Sequence, residues 1–113
     1  MERPELSISS RRPDAAEVVL CLDGEIDMLT AGQLSAAVNA VLADDGPSRV
    51  VLDMAGITFC DSQGLGTLVV LSRRAASAQS VLVLTNVADF LLRVLEVTGL
   101  RSALMIRNGA LHG

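Results

Sequence analysis

The chain has 113 residues, half of them hydrophobic, which is enough for one domain with its own core and too short for two domains of ordinary size. Its formal net charge of -4, and the absence of lysine, tryptophan and tyrosine, leave neither a basic surface nor a set of stacking aromatics. The composition therefore argues against a protein that binds DNA or RNA. We expect a single domain over residues 1–113, with terminal tails at residues 1–4 and a frayed tail at 107–113.

The first half of the chain predicts two strands and one helix. Residues 6–8 alternate apolar and polar side chains, as in a half-buried strand, and a turn is predicted at residues 11–14. Residues 17–22 are nearly continuous in apolar side chains, a pattern typical of a strand buried on both faces. Thr30 and Gln33 then have the spacing of a capping box at the start of a helix. The apolar face of this helix consists of Leu34, Val38, Val41 and Leu42.

The second half of the chain predicts three more strands and two helices. Residues 49–54 and 81–84 repeat the continuous apolar pattern, and residues 105–106 are predicted to form a short last strand. A second helix is predicted from Ser62 to Ala78, with its inward residues at Leu65, Leu68, Val69, Ala75 and Ala76. A third helix is predicted between Asn86, as its cap, and Gly99, as its stop, on the pattern of Val87, Phe90, Leu91, Val94 and Leu95.

Strands that alternate with helices predict an α/β fold. Connections of this kind join parallel strands through right-handed crossovers. We therefore expect a mixed, largely parallel β-sheet of about four to five strands, flanked by about three helices.

The termini and the two cysteines indicate the cellular compartment. Residues 1–4 lack the apolar run of a signal peptide, and every later apolar run is too short to span a bilayer. In a reducing compartment, Cys21 and Cys60 are more often small hydrophobic residues than partners in a disulfide. The sequence predicts a cytoplasmic protein that does not contact a membrane.

Two acidic segments follow neighbouring predicted strands. One ends at Asp27, and the other contains Asp61 and Ser62. Functional groups of an open α/β sheet collect outside the carboxyl ends of its strands, so these segments form one acidic surface if their strands are neighbours. Ser62 stands where a helix is predicted to begin, and a helix N-terminus readily accepts a phosphate group. The simpler interpretation of Ser62 is an ordinary helix N-cap.

Two glycines follow Ser62 within the first turn of the predicted helix. Gly64 and Gly66 each cost a helix about 1 kcal/mol relative to alanine. Such glycines indicate that another backbone approaches closely, which belongs either to a partner or to the sheet of the same chain.

Catalytic and metal-binding interpretations have weaker support. Asp27 and Asp61 are compatible with a metal pair or with general acid and base catalysis, but aspartates are more common as helix caps and turn residues. A serine-hydrolase elbow needs glycine two residues before the serine, where this chain has Cys60, and the sole histidine is His112. Nucleotide-binding motifs also fail, because the chain has no lysine and because Gly64-x-Gly66 is too short for either phosphate-binding motif. The sequence predicts no enzyme, no catalytic residue, no metal and no cofactor.

Three segments together resemble the STAS-domain anti-sigma factor antagonists. They are residues 22–27 (Leu-Asp-Gly-Glu-Ile-Asp), residues 50–53 (Val-Val-Leu-Asp) and residues 58–66 (Thr-Phe-Cys-Asp-Ser-Gln-Gly-Leu-Gly). The resemblance extends over residues 6–105, and its most specific part is the Asp-Ser-x-Gly-Leu run after a strand. Family members usually end in a further helix, for which this chain has few residues after Ile106.

The resemblance implies a function and a site. Ser62 matches the serine that a kinase-type anti-sigma factor phosphorylates, and Asp27 and Asp61 match the acidic residues beside it. The unmodified antagonist binds the anti-sigma factor and frees a sigma factor, and a phosphatase is expected to restore it. The residues expected to bind the partner are Asp27, Thr30, Asp61, Ser62, Gln63, Gly64 and Leu65, although the spacing of Leu65 is also typical of a core residue.

Two other functions stay open at this point. One is a STAS-type subunit of a transporter or of a stress-sensing assembly. The other is a small serine hydrolase that uses Ser62, for which the sequence offers no convincing base.

Overall fold

Strands and helices alternate along the chain in a computed structural model that describes residues 5–44 and 47–108. The elements are β1 (Leu6–Asp14), β2 (Glu17–Ile26), α1 (Ala31–Ala43), β3 (Arg49–Cys60), α2 (Ser62–Ser77), β4 (Val81–Thr85), α3 (Asp89–Thr98), a 3-10 helix (Leu100–Ala103) and β5 (Met105–Ile106). The predicted tail at residues 1–4 and the histidine His112 lie outside the described residues. Within the described ranges, no helix has the length and apolar character needed to cross a membrane.

The five strands form one sheet in the order β1-β2-β3-β4-β5. β1 runs antiparallel to β2, and every other neighbouring pair is parallel. This topology confirms the predicted mixed, largely parallel sheet. Each parallel connection advances by one strand in the same direction, so right-handed crossovers place α1, α2 and α3 on the same face of the sheet.

The main core lies between the three helices and that face of the sheet. Its helical side chains include Leu34, Val38, Leu65, Leu68, Leu71, Leu91 and Leu95, and its strand side chains include Val18, Leu20, Leu22, Val50, Leu52, Leu82 and Leu84. A second, smaller cluster consists of Val19, Val51 and Val83, which alternate with the first set and are also buried. The central strands are thus buried on both faces, as their continuous apolar runs predict.

The hairpin between β1 and β2 turns later than predicted. The segment at residues 11–14 continues β1, and the chain turns at Ala15 and Ala16, where the Asp14 carboxylate accepts a hydrogen bond from the Ala16 amide at 2.8 Å. Pro13 is tolerated there because β1 is an edge strand whose register shifts between Arg11 and Asp14.

The strands β2 and β3 are both longer than their apolar runs. They continue to Ile26 and Cys60 instead of ending at Leu22 and Met54. The two extensions pair with each other, with Ile26 opposite Cys60, through two irregularities in register. Backbone pairing between neighbours therefore maintains strand structure beyond the continuous apolar runs, with Ile26 and Ile57 as the buried side chains of the two extensions.

The helices α2 and α3 differ from their predicted forms in detail. Ala76 was predicted to face inward and is exposed, because Leu71 and Ala75 supply the buried positions in this part of α2. The predicted cap of α3, Asn86, lies before the helix at a φ of 56°, and its side chain donates to the carboxylate of Asp53 at 3.0 Å. Asp53 therefore holds the segment between β4 and α3 against the end of the sheet.

The C-terminal part of the chain is tied to the sheet up to Asn108. Gly99, at a φ of 78°, ends α3 as predicted, and the short strand β5 pairs in parallel with β4. Within the segment predicted to be frayed, the Arg107 amide donates to the Leu84 carbonyl at 2.8 Å. The Asn108 side chain bonds both the amide and the carbonyl of Val87, each at 2.8 Å. Residues 109–113 lie outside the described residues.

Candidate functional site

The two acidic segments meet at the carboxyl ends of β2 and β3. Ile26 and Cys60 are register partners in the parallel pair, and the Asp61 amide donates to the Ile26 carbonyl at 3.1 Å. Asp27 and Asp61 each come directly after these paired residues. The sheet therefore brings together the two segments that the sequence predicted to be neighbours.

Asp27 organises the turn that leads into α1. One oxygen of its carboxylate accepts hydrogen bonds from the Leu29 amide at 2.9 Å and from the Thr30 amide at 3.1 Å. Its backbone carbonyl accepts from the Ala31 amide at 2.8 Å. The carboxylate thus satisfies backbone donors at a helix start, which otherwise have no partner.

Thr30 holds the same turn from inside and does not form the predicted capping box. Its hydroxyl donates to the Glu25 carbonyl at 2.8 Å and accepts from the Asp27 amide at 3.0 Å, and the residue is only 6% exposed. The amide of the Gln33 side chain is bonded instead to the Leu6 carbonyl at 2.7 Å. Tertiary hydrogen bonds have replaced the local box, so Thr30 supports the site from below its surface.

Asp61 is the N-cap of α2. Its carboxylate accepts from the Gly64 amide at 2.8 Å, and its carbonyl accepts from the Leu65 amide at 2.9 Å. The capping role that was the simpler interpretation of Ser62 therefore belongs to its neighbour.

Ser62 is the first residue of α2 and is exposed. Within the described residues no hydrogen bond engages its hydroxyl group. The first turn of α2 contains no acidic residue, and amides at a helix N-terminus lack intrahelical partners. Ser62 thus presents a free hydroxyl at the positive end of a helix.

The two glycines after Ser62 have different surroundings. A Cβ atom on Gly64 would lie 2.5 Å from the Ile26 carbonyl oxygen and 2.8 Å from the Cys60 sulfur, so the start of α2 fits against the sheet only with glycine at this position. A Cβ atom on Gly66 would meet no described residue within 4 Å. The sheet makes the close approach at Gly64, whereas at position 66 no contact among residues 5–44 and 47–108 requires glycine.

Leu65 and Gln63 point in different directions from the same helical turn. Leu65 is buried in the main core, which supports its interpretation as a core residue and leaves little side chain for a partner. Gln63 is exposed next to Ser62. Both residues had been predicted to contact the partner, and only Gln63 has a side chain available for such contact.

A shallow depression lies between α1 and α2 beside Ser62. Its volume is about 310 Å³, and its lining consists of Ser35, Ser62, Gln63, Gly66, Thr67 and Val70. The bare backbone at Gly66 forms part of this surface.

Two apolar side chains that the sequence interpretation missed are exposed at the start of α1. Met28 and Leu29 are 72% and 65% exposed, in the turn that Asp27 organises. A signal was present in the sequence, because two large apolar residues directly after an aspartate precede the helical pattern. Apolar residues exposed next to each other often mark an interaction surface.

Cys60 is a packing residue beneath the site. Burial, and to a smaller extent the neighbouring Asp61 carboxylate, raise the pKa of its thiol to about 12. The thiolate is the reactive form of cysteine, so this side chain is protonated and unreactive at neutral pH. Cys21 is also a free thiol and contacts the small cluster on the other face of the sheet.

The Asp53 carboxylate bonds neighbouring parts of its own chain. It accepts a hydrogen bond from the Ala55 amide at 3.1 Å, in addition to its bond with Asn86.

The metal-binding interpretation of the aspartates requires several ligands close together. Across residues 5–44 and 47–108, no group of three or more histidine, cysteine, aspartate or glutamate side chains is arranged to hold a metal ion.

Comparisons with known proteins identify the family. A family model described as "Mlab, STAS domain" matches residues 9–107. An anti-sigma-B factor antagonist of Listeria monocytogenes is 32% identical over 112 residues, which cover 96% of each chain. The crystal structure of an anti-sigma factor antagonist from Mycobacterium paratuberculosis superposes with a TM-score of 0.78 at 26% identity, covering 90% of this chain and 85% of that one.

One more solved structure has the same fold at lower identity. The Bacillus cell fate determinant SpoIIAA, solved in its phosphorylated form, has a TM-score of 0.68 at 20% identity and covers 89% of this chain and 91% of its own. From the family model and the relatives of higher identity, the chain belongs to the STAS-domain family of anti-sigma factor antagonists.

Proposed function

We propose that the protein controls which partner an anti-sigma factor binds. Unphosphorylated, it binds an anti-sigma factor of the serine-kinase type and so frees a sigma factor, and phosphorylation of Ser62 ends that complex. The observation that carries the proposal is the exposed Ser62 hydroxyl at the first position of α2, with the cap supplied by Asp61. The phosphorylated state of SpoIIAA, a protein of the same fold, supports this interpretation.

The covalent cycle needs two other proteins. The kinase transfers the terminal phosphoryl group of ATP to the Ser62 oxygen, which releases ADP and the hydroxyl proton. A phosphatase then hydrolyses the phosphate ester and restores the hydroxyl. The antagonist itself supplies a substrate hydroxyl and a surface, and acts as a cytoplasmic regulator and not as an enzyme.

Phosphorylation at this position is compatible with the folded state. Ser62 is exposed, so the phosphate group stays in water and does not enter the core. The group adds a charge of about -1.5 to -2 at neutral pH, which the N-terminal end of α2 favours by about 0.3 to 1 kcal/mol. The modified protein should therefore keep its fold.

The cost of phosphorylation falls on the complex. A partner that covers Ser62 must remove water from the new charge next to the Asp61 carboxylate, and the chain already has a net charge of -4. Burying a charge without a matched counter-charge costs an interface about 2 to 5 kcal/mol. A loss of binding free energy of this size is enough to dissociate a complex of moderate affinity.

The surface proposed to bind the partner differs from the predicted set. It consists of Met28, Leu29, Ser62, Gln63, Gly66 and Val70, all of which are exposed. Asp27, Thr30, Asp61, Gly64 and Leu65 lie beneath or beside this surface and hold it in shape. In this arrangement the partner packs its backbone against Gly66, where the absence of a side chain permits close approach.

Variants of Ser62 test the switch, with Ser77 as a matched control at the other end of α2. We expect Ser62→Ala to bind a kinase-type anti-sigma factor as the unmodified protein does, and Ser62→Asp and enzymatically phosphorylated protein to bind at least about tenfold more weakly. Ser77→Asp should not change the affinity, because Ser77 is far along the helix from Ser62. Calorimetric titration gives the affinities, and mass mapping after incubation with kinase and ATP identifies the modified residue.

Equal affinity of the phosphorylated protein and Ser62→Ala would contradict the proposal. Modification at another serine, with Ser62 left intact, would contradict it as well. A fluorophosphonate probe that labels Ser62 would favour the hydrolase alternative.

The second candidate function is a STAS subunit of a larger assembly, such as a transporter. A solved structure of a sulfate transporter family protein from Wolinella succinogenes has the same fold, with a TM-score of 0.73 at 19% identity, and favours keeping this candidate. Purification of the protein from its native cells separates the two candidates, because this alternative predicts that a membrane transporter or a stress-sensing assembly co-purifies in place of an anti-sigma factor.

A further inference from the structure

Helix α3 carries a stripe of apolar side chains on its exposed side. Phe90, Val94 and Val97 are 43%, 36% and 81% exposed. Residues spaced by four and three positions align on one face of a helix, so the three side chains form a continuous stripe about two turns long. The buried face of α3 is formed by Leu91 and Leu95, so the stripe is not needed to attach the helix to the sheet.

The stripe is an unusual surface for a helix of 10 residues. Single exposed apolar residues are common in soluble proteins and need no explanation. Three that align on one short helix form a patch, and such patches mark contacts with other molecules.

Two exposed residues of opposite charge flank the stripe on one side. Arg93 and Glu96 are one helical turn apart. Glu96 accepts from the Arg101 guanidinium at 2.7 Å, but both side chains of that ion pair are about half exposed, so the pair holds Glu96 only weakly. No ion pair engages Arg93 within the described residues.

We propose that this surface binds a second copy of the chain through an antiparallel pair of α3 helices. A two-fold axis that passes beside Val94 makes the contact isologous, with the same surface used by both copies. Val94 of the two copies then meets at the axis, and Phe90 of each copy lies beside Val97 of the other. The exposed apolar side chains of both stripes are thereby covered.

The charges of α3 fit this arrangement. In an antiparallel pair the same flanks of the two helices face each other, so Arg93 of each copy lies level with Glu96 of the second copy. The symmetry produces this ion pair twice. A chain with like charges at both positions would repel itself in the same register, so the charge pattern is self-complementary.

The dimer is expected to be weak and reversible. The stripe has three apolar residues per copy, which is less surface than a stable dimer normally buries. The association lies on α3, whereas the proposed partner surface lies on α2 and on the turn before α1, so the test of the dimer does not depend on the proposed function.

Charge reversal tests the pairing of the two helices. In sedimentation equilibrium over a wide range of concentration, the unmodified protein should shift reversibly from monomer to dimer. Arg93→Glu and Glu96→Arg should each weaken the dimer by about tenfold, because each replaces two ion pairs with like charges. The double variant R93E/E96R should restore it. An equimolar mixture of the two single variants should form a mixed dimer, since their charges are complementary.

The apolar part of the contact has its own matched pair of variants. Val97→Ser should weaken the dimer by about tenfold, whereas Val70→Ser, an equivalent change on the exposed side of α2, should leave it unchanged. Both positions are exposed, so both variants should keep the stability of the parent in thermal denaturation.

Several outcomes would overturn the proposal. They are a protein that stays monomeric at every concentration, a dimer that tolerates both single reversals, and failure of the mixed single variants to associate. If the chain is monomeric and Val97→Ser instead weakens binding to an anti-sigma factor, the stripe is a partner surface and not a site of self-association.

Discussion

The starts of α1 and α2 are built alike and present different surfaces. Each begins with an aspartate directly after a strand, and the carboxylate accepts a hydrogen bond from the amide three residues later, at 3.1 Å for Asp27 and 2.8 Å for Asp61. The two residues in between are exposed in both turns. They are Met28 and Leu29 in the first turn, and Ser62 and Gln63 in the second.

The comparison distinguishes the residues that hold the two turns in shape from the residues that a partner can contact. The two aspartate carboxylates accept hydrogen bonds from backbone amides of their own turns. The side chains left for a partner to contact are Met28 and Leu29 in the first turn, and Ser62 and Gln63 in the second. In the proposed switch, the first turn provides adhesion that does not change, and the second provides the group that a kinase modifies. Variants that affect one role without the other can test this division.

The largest expected effect is at the contact that holds the two turns together. Gly64→Ala places a Cβ atom against the Ile26 carbonyl and the Cys60 sulfur, and should lower the free energy of unfolding by about 1 to 3 kcal/mol. Gly66→Ala is the matched control. It meets nothing within 4 Å and should raise the free energy of unfolding by about 0.5 to 1 kcal/mol.

Urea denaturation of the two variants measures both changes. Equal stability of Gly64→Ala and Gly66→Ala would show that the turns are not held by this contact. A stabilised Gly66→Ala that also binds the anti-sigma factor more weakly would support close approach of the partner at this position.

The next effect concerns the exposed apolar pair. Leu29→Ser should weaken binding to the anti-sigma factor by about tenfold. The Leu29 side chain is exposed to water in the free protein, and the complex of the variant would no longer bury it. The free energy of unfolding should change by no more than about 0.5 kcal/mol. Val97→Ser, on α3, is the control at another highly exposed apolar residue and should not affect this affinity. Loss of binding by both variants would show that the effect is not specific to the first turn.

The aspartates should affect stability more than recognition. Asp61→Ala removes the cap of α2, and Asp27→Ala removes the carboxylate that bonds the amides of the turn before α1. Each should lower the free energy of unfolding by about 0.5 to 2 kcal/mol. Asp61→Asn and Asp27→Asn keep an acceptor oxygen and should recover most of that loss. Thermal denaturation distinguishes the variants. If the alanine variants keep their stability and lose only partner binding, the aspartates belong to the contact surface and the comparison fails.

The smallest effect at neutral pH is that of Cys60. The thiol has an ordinary pKa of 9.0, and burial raises its pKa to about 12 in the folded protein. The unfolded state therefore loses this proton first, so the free energy of unfolding is constant below about pH 9 and falls as the pH rises towards 12. The chain contains no lysine or tyrosine to titrate in this range. Measured in a Cys21→Ser background, the decline should be absent after Cys60→Ser, and labelling by iodoacetamide at neutral pH should be slow.

Hydrophobic periodicity predicted the fold because the strands and helices are defined by what they bury. The apolar runs of β2, β3 and β4 are visible in the sequence, and so is the glycine that ends α3. The extensions of β2 and β3 to Ile26 and Cys60 could not be predicted in this way, because each has a single buried side chain, Ile26 or Ile57, among half-buried and exposed residues. Pairing between the two backbones continues the strands there. The same limit applies to the hairpin, where an edge position permits Pro13 within a strand.

The candidate site was predicted in its location and only partly in its roles. The resemblance identified Ser62 and the two aspartates, and the parallel sheet brings them together. Local spacing suggested a capping box at Thr30, but the turn at Asp27 and the carbonyl of Glu25 compete for that hydroxyl. Exposure of Met28 and Leu29 depends on how the turn is held above the sheet, which periodicity does not describe.

The cap supplied by Asp61 leaves position 62 without a structural duty at the start of α2. A serine that caps its own helix cannot be altered without a loss of stability, whereas here the neighbouring carboxylate carries that role. In the proposed switch, repeated cycles of modification and reversal would therefore need no refolding of the chain. A substitution at position 62 would change recognition by the proposed kinase and partner without removing a cap.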